Sequence, residues 1–85
     1  GDTVAAVSTS LHGDAEVLEF AVSPGCRCDG KKLSELGLHE DVLIGAIVRD
    51  GKAQIARGRS TLRPRDHVIA VVRPGQAAHL SSLFG

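Results

Sequence analysis

Residues 42–58 read VLIGAIVRDGKAQIARG: six of the first seven are apolar, a charged Arg49-Asp50-Gly51-Lys52 turn follows, and a half-polar run closes the stretch. Asp-Gly between two such runs is a hairpin signal, because both residues tolerate the positive φ that a tight two-residue turn demands. Strands are predicted at 42–48 and 53–57. The first is apolar at both alternating sets of positions, interrupted by Gly45 alone, which predicts a strand covered on both faces at the centre of its sheet.

Outward from the hairpin, AEVLEFAV at 15–22 carries Val17, Leu18, Phe20 and Val22 with Glu16 and Glu19 between them. Val17, Leu18 and Ala21 also share helical spacing, but the short run and the Ser23-Pro24-Gly25 stop favour a strand. TVAAVS at 3–8 is short and partly β-branched, a further strand, punctuated by Leu11-His12-Gly13-Asp14. Asp29 can cap a short helix over Lys31 to Leu36, with Gly37 placed to end it. A loop from Gly58 ends in Pro64-Arg65-Asp66, and HVIAVV at 67–72 is another nearly continuous apolar strand. Pro74-Gly75 then admits a final helix from about Gln76 to Leu83, whose Leu80, Leu83 and Phe84 can close one end of the sheet. Strands dominate and two short helices cap them, an α+β pattern.

A chain of 85 residues makes one domain, and one this small buries roughly 60–65% of the surface its unfolded chain exposes. Phe20 and Phe84 are its only aromatics, so the core is aliphatic and there is little to stack on nucleic-acid bases. Ten basic side chains balance ten acidic ones, which leaves no net field to attract a polyanion or an anionic bilayer. No apolar run approaches the ~20 residues of a membrane span, and no signal-peptide succession occurs, so the expected location is cytoplasmic. With no Met in the sequence, Gly1 is not expected to be a native start, and the chain reads as a piece of something longer.

Reactive residues are present without the company that makes them machinery. Cys26-Arg27-Cys28 is the obvious metal suspect, but structural zinc sites use wider spacing and a second ligand pair, so the expectation is two reduced thiols, at least one of them buried. His12, His39, His67 and His79 fall in four separate segments, and no serine lies in a nucleophile elbow. The glycines form neither a dinucleotide fingerprint nor a phosphate loop. No catalytic residue and no metal ligand is assigned, and no enzyme is expected. Arg57, Arg59, Arg63 and Arg65 raise the idea of an anionic small ligand, against the plainer reading of a solvated charged loop.

Taken in order, EVLEFAVSPG, DGKKLSEL, VLIGAIVRDGKAQIARG and LRPRDHVIAVV resemble the C-terminal domain of TrkA-type potassium-uptake regulators, the RCK C-terminal or TrkA-C family. The resemblance covers about residues 15–84, and residues 1–14 look like the segment that precedes this domain. Its most specific part combines Gly30-Lys31-x-Leu33, the Leu43-Ile44-Gly45-Ala46-Ile47-x-Arg49 strand, the Asp50-Gly51 turn and Pro64-x-Asp66-x-Val68.

The resemblance implies a β-X-β-β-X-β-α fold: a small, partly closed sheet capped by the last helix, and paired with a second copy in a homodimer. It implies a cytoplasmic regulatory domain at the inner face of the membrane, gating a potassium transporter or channel subunit. NAD(H) or adenine nucleotide is expected only in a separate N-terminal Rossmann-like domain, so no cofactor is assigned to this chain. Some members bind cyclic di-AMP at the dimer interface through an Asp and an Arg near a helix end and an Asn-Ile pair. Gly37, His39 and Leu43-Ile44 stand at those positions, and only Ile44 fits. The ligand is therefore left unnamed, with His39, Leu43, Ile44, Arg57 and Arg59 as its candidate contacts. Two alternatives stay open: a module that only dimerises, and a regulator of another cation or proton antiporter.

Overall fold

In the computed structural model, which describes residues 4–11 and 13–85, five antiparallel strands form one sheet. They are β1 (Val4–Leu11), β2 (Ala15–Ala21), β3 (Val42–Arg49), β4 (Lys52–Ile55) and β5 (His67–Val72), in the spatial order β1-β2-β5-β3-β4. A 3-10 turn spans Leu33–Glu35, and the single helix of the described residues, α1, spans Ala77–Phe84. The α+β fold with its terminal helix is as expected. The sheet itself stays open, with β1 and β4 as its two edges. Thr3 and His12, read above as part of a strand and of a turn, lie outside the described residues.

The hairpin forms as its sequence demands. Asp50 and Gly51 both take left-handed backbone, at φ 52° and 75°, and Arg49 pairs with Lys52 across the turn. The strand β3 is not central, however. That place belongs to β5, which pairs with β2 on one side and β3 on the other. Nor is β3 covered on both faces: Ile44 and Ile47 are buried, while Leu43 is 63% exposed. The cause is a bulge. Pairing with β5 shifts between Ile44 and Ala46, leaving Gly45 as the extra residue, and an extra residue resets the two-residue alternation. Ile44 and Ile47, three apart, can therefore both face inward.

The inner face of the sheet holds Leu18, Phe20, Val68, Ala70, Val72, Ile44 and Ile47, and α1 lays Leu80, Leu83 and Phe84 over it. The rings of Phe20 and Phe84 lie 5.5 Å apart and tilted by 33°, an arrangement that adds a specific aromatic contact to the burial. Cys28, Leu33 and Leu62 complete the core from the two long loops. Those loops are zipped together: the backbone amides of Gly30, Leu33 and Ser34 donate to the carbonyls of Leu62, Ser60 and Gly58. The short helix expected at 31–36 is thus a single 3-10 turn held from outside. Asp29 does not cap it. Its carboxylate accepts the Gly25 N–H at 2.8 Å, while Glu35 takes the Lys32 N–H.

Candidate functional site

Two polar constructions stand out. The first is buried. Asp66, 1% exposed at the head of β5, receives Arg49 from the far end of β3 in a two-pronged pair, Nε to Oδ1 at 2.8 Å and Nη2 to Oδ2 at 2.7 Å. The Arg63 N–H donates to Oδ2 as well, and Arg49 also reaches the Thr61 carbonyl. Burial by itself would push the Asp66 carboxyl upward, but the Arg49 hydrogen bonds, the Arg63 amide and both nearby positive charges hold it below the usual carboxylate range. The turn that aims it, Arg63-Pro64-Arg65-Asp66, puts Arg65 in left-handed backbone at φ 72°. No buried side-chain polar atom among the described residues lacks a partner, so this is a clamp joining β3 to β5 rather than a reactive centre.

The second lies on the opposite face of the sheet. Val17, Glu19 and Ala21 of β2 alternate with the buried Leu18 and Phe20, and His67, Ile69 and Val71 of β5 alternate with Val68, Ala70 and Val72. Pairing places Leu43 beside Val71, Ala46 beside Ile69, and Ile55 of β4 beside Ala46. Leu43 and Ile55 are 63% and 67% exposed. The result is an apolar sheet face, partly open to solvent, crossed by a short imidazole–carboxylate contact: His67 Nδ1 and Glu19 Oε2 lie 2.5 Å apart.

The predicted contact residues distribute unevenly over this structure. Leu43 sits on the exposed face and Ile44 turns inward to the core. His39 is exposed in the loop before β3, where its Nδ1 accepts the Asp41 N–H at 3.0 Å. Arg57 and Arg59 are exposed in the β4–β5 loop, whose Ser60 Oγ accepts the Arg57 N–H. A shallow cavity of about 220 Å³ opens beside Leu43 and Val71, with Asp14, Glu40, Asp41 and Arg73 on its walls. Arg73 lies 3.6 Å from Asp14 and 3.5 Å from Asp41. The cavity takes in Leu43 but neither arginine of the β4–β5 loop. Sequence reading passed over the exposed apolar face. The signal was present in the Gly45 interruption, which separates Leu43 from its inward neighbours.

The two sulfurs of the Cys-x-Cys stretch touch, Sγ to Sγ 3.1 Å. Cys28 is buried, as the sequence suggested for one of the pair, and Cys26 is half-buried. Among the described residues no group of three or more His, Cys, Asp or Glu side chains is placed to hold a metal ion.

Fold and site together define a small α+β domain, with a filled core on one side of its sheet and, among the described residues, an uncovered apolar face on the other. The TrkA-C domain model matches residues 17–85. The chain belongs to the TrkA-C domain family. It is 35% identical over 79 residues to a Trk system potassium uptake protein TrkA homolog of Archaeoglobus fulgidus, a match that covers 93% of this chain and 18% of the relative. It is 30% identical over 73 residues to the Trk system potassium uptake protein TrkA homolog 2 of Methanosarcina mazei, covering 86% of this chain and 16% of the relative. The chain thus spans less than a fifth of these relatives' length. In structure it is similar to the GsuK RCK domain, at a TM-score of 0.75 and 22% identity, covering 99% of this chain and 19% of that one. It is also similar to an RCK domain with cda, at a TM-score of 0.71 and 16% identity, covering 81% of this chain and 97% of that one. At those identities the structural likeness establishes the fold.

Proposed function

We propose that this chain is a non-catalytic regulatory domain of a potassium-uptake protein, and that it pairs with a second copy through the outer face of its sheet. Paired domains of this kind bias the state of a membrane transporter or channel from the cytoplasmic side. The carrying observation is the exposed apolar face built around Leu43, Ile55, Ile69 and Val71 in a member of the TrkA-C family. An uncovered apolar sheet face marks an interaction surface, and a two-fold contact lets one patch serve both partners. Among the described residues no helix is long and apolar enough to cross a membrane. NAD(H) or adenine nucleotide binding is assigned to another domain of the longer protein.

His39 and Leu43 flank the start of β3, where a small ligand placed between two copies would alter their contact. Such a ligand regulates by binding one state of the pair more tightly, a coupling typically worth ~1–3 kcal/mol. A second reading has support of its own: the cavity beside Leu43 carries three carboxylates against Arg73, and Arg57 and Arg59 lie outside it. On that reading the domain only dimerises and sensing occurs elsewhere in the longer protein.

Sedimentation equilibrium of this chain and its Leu43→Asp variant tests the pairing. A dimer that dissociates at least tenfold more readily in the variant, with unfolding unchanged, is the expected result. A strict monomer at high concentration would overturn it. Replacing His39, Arg57 and Arg59 together in the longer protein and measuring potassium flux separates the two readings, since regulation that survives on an intact dimer leaves the purely structural one.

A further inference from the structure

The Cys26–Cys28 pair takes no part in the reading above, yet it is built with care. The loop between β2 and the 3-10 turn is fixed by successive tight turns: the Cys26 N–H donates to Ser23, the Asp29 N–H to Cys26 and the Lys31 N–H to Cys28. The Asp29 carboxylate closes the same loop onto the Gly25 N–H. Within it the sulfurs lie 3.1 Å apart, and a disulfide needs ~2.05 Å, so bond formation requires the sulfurs to approach by only about 1 Å. Their environments differ. Cys26 is half-buried and reaches solvent, whereas Cys28 is fully buried beneath it. The loop also seats the end of the last helix, because the N–H groups of Ser23 and Cys28 donate to the carbonyls of Phe84 and Leu83.

We propose that Cys26 and Cys28 are a reversible oxidation site, forming an internal disulfide at the expense of a low-molecular-weight disulfide and passing the change to the seat of α1. The Cys26 thiolate attacks one sulfur of the small disulfide, forms a mixed disulfide and releases the first small thiolate. Cys28 then attacks Cys26 Sγ, which it already touches, and expels the second small thiolate. Two protein thiols are oxidised, one small disulfide is reduced to two thiols, and the two cysteine protons end on those products. Exposure sets the order, since only Cys26 can be met from solution. Burial, and next the adjacent Cys26 sulfur, push the Cys28 thiol far above its ordinary range. Cys28 is thus unreactive toward outside reagents and serves as the resolving partner, losing its proton as the mixed disulfide opens.

The chain is incubated with oxidised glutathione, and its intact mass and its thiols available to iodoacetamide are followed, with Cys26→Ser and Cys28→Ala variants alongside. The expected product is lighter by two hydrogens, carries no alkylatable thiol, and returns to the dithiol with dithiothreitol. Cys26→Ser should resist modification, and Cys28→Ala should stop at a glutathione adduct. Hydrogen exchange should quicken at least tenfold at the Ser23 and Cys28 amides on oxidation. A wild-type chain that ends as a stable glutathione adduct, as a cross-linked pair of chains, or with both thiols free overturns the proposal, as does unchanged exchange at those amides. None of these readouts depends on dimerisation or potassium transport, so the outcome is independent of the functional reading.

Discussion

The two faces of this sheet are made of the same kinds of residue and do opposite things. Inside, Phe20, Ile47, Val68 and Val72 are almost wholly removed from water beneath α1. Outside, Leu43, Ile55, Ile69 and Val71 are equally apolar and remain open or half-open. Their polar groups differ in the same sense: Asp66 is locked dry against Arg49, while Glu19 and His67 meet in partial contact with solvent. Apolar character alone therefore does not make a core. A residue joins the core when another layer covers it, and among the described residues only the inner face has one.

Five substitutions and one titration test that contrast. The largest effect is expected from Asp66→Ala, which strands the Arg49 guanidinium and should cost about 3–5 kcal/mol in urea unfolding. Loss below 1 kcal/mol would mean the clamp carries no weight. The matching truncations come next: Ile47→Ala should cost about 2–5 kcal/mol through the cavity it leaves, and Leu43→Ala no more than about 0.5 kcal/mol under conditions where the chain is monomeric. Comparable costs would show that the outer face is covered within the single chain.

Arg65→Gly relieves left-handed backbone at φ 72° and should stabilise by about 0.5–1 kcal/mol, seen as a raised thermal midpoint. Glu19→Gln replaces the carboxylate in a partly exposed contact with His67 and should cost only about 0.2–1 kcal/mol. The pH dependence follows from Asp66. Its folded carboxyl is held below its unfolded value, so its contribution is complete above the ordinary carboxylate range and is lost as pH falls through the depressed value. Wild type should therefore lose stability in acid more steeply than Asp66→Asn, and parallel curves would remove Asp66 as the cause.

Much of the fold was legible in local sequence. The Asp50-Gly51 turn, the strands at 15–22 and 67–72, and the buried set Leu80, Leu83 and Phe84 follow from turn chemistry and period, which act over a few residues. Arg49 and Asp66 were visible too, as members of a family pattern, though not as partners, because 17 positions separate them in the chain. The five candidate contacts, Leu43 among them, were named together through the family resemblance. That Leu43 stands on an open face while Ile44 turns inward depends on the Gly45 bulge.

Local chemistry along the chain sets the inventory: the hairpin and its register, an aliphatic core, the α+β class and the family. Long-range packing settles the rest: that β5 and not β3 is central, that the two long loops zip together, and that Cys26 and Cys28 meet over the end of α1. The reason lies in range. A strand's neighbours are chosen by pairing between segments dozens of residues apart, and 42–48 and 67–72 are about equally apolar, so nothing local ranks them. Which face of a strand is left uncovered is settled the same way, by where the chain's last helix comes to rest.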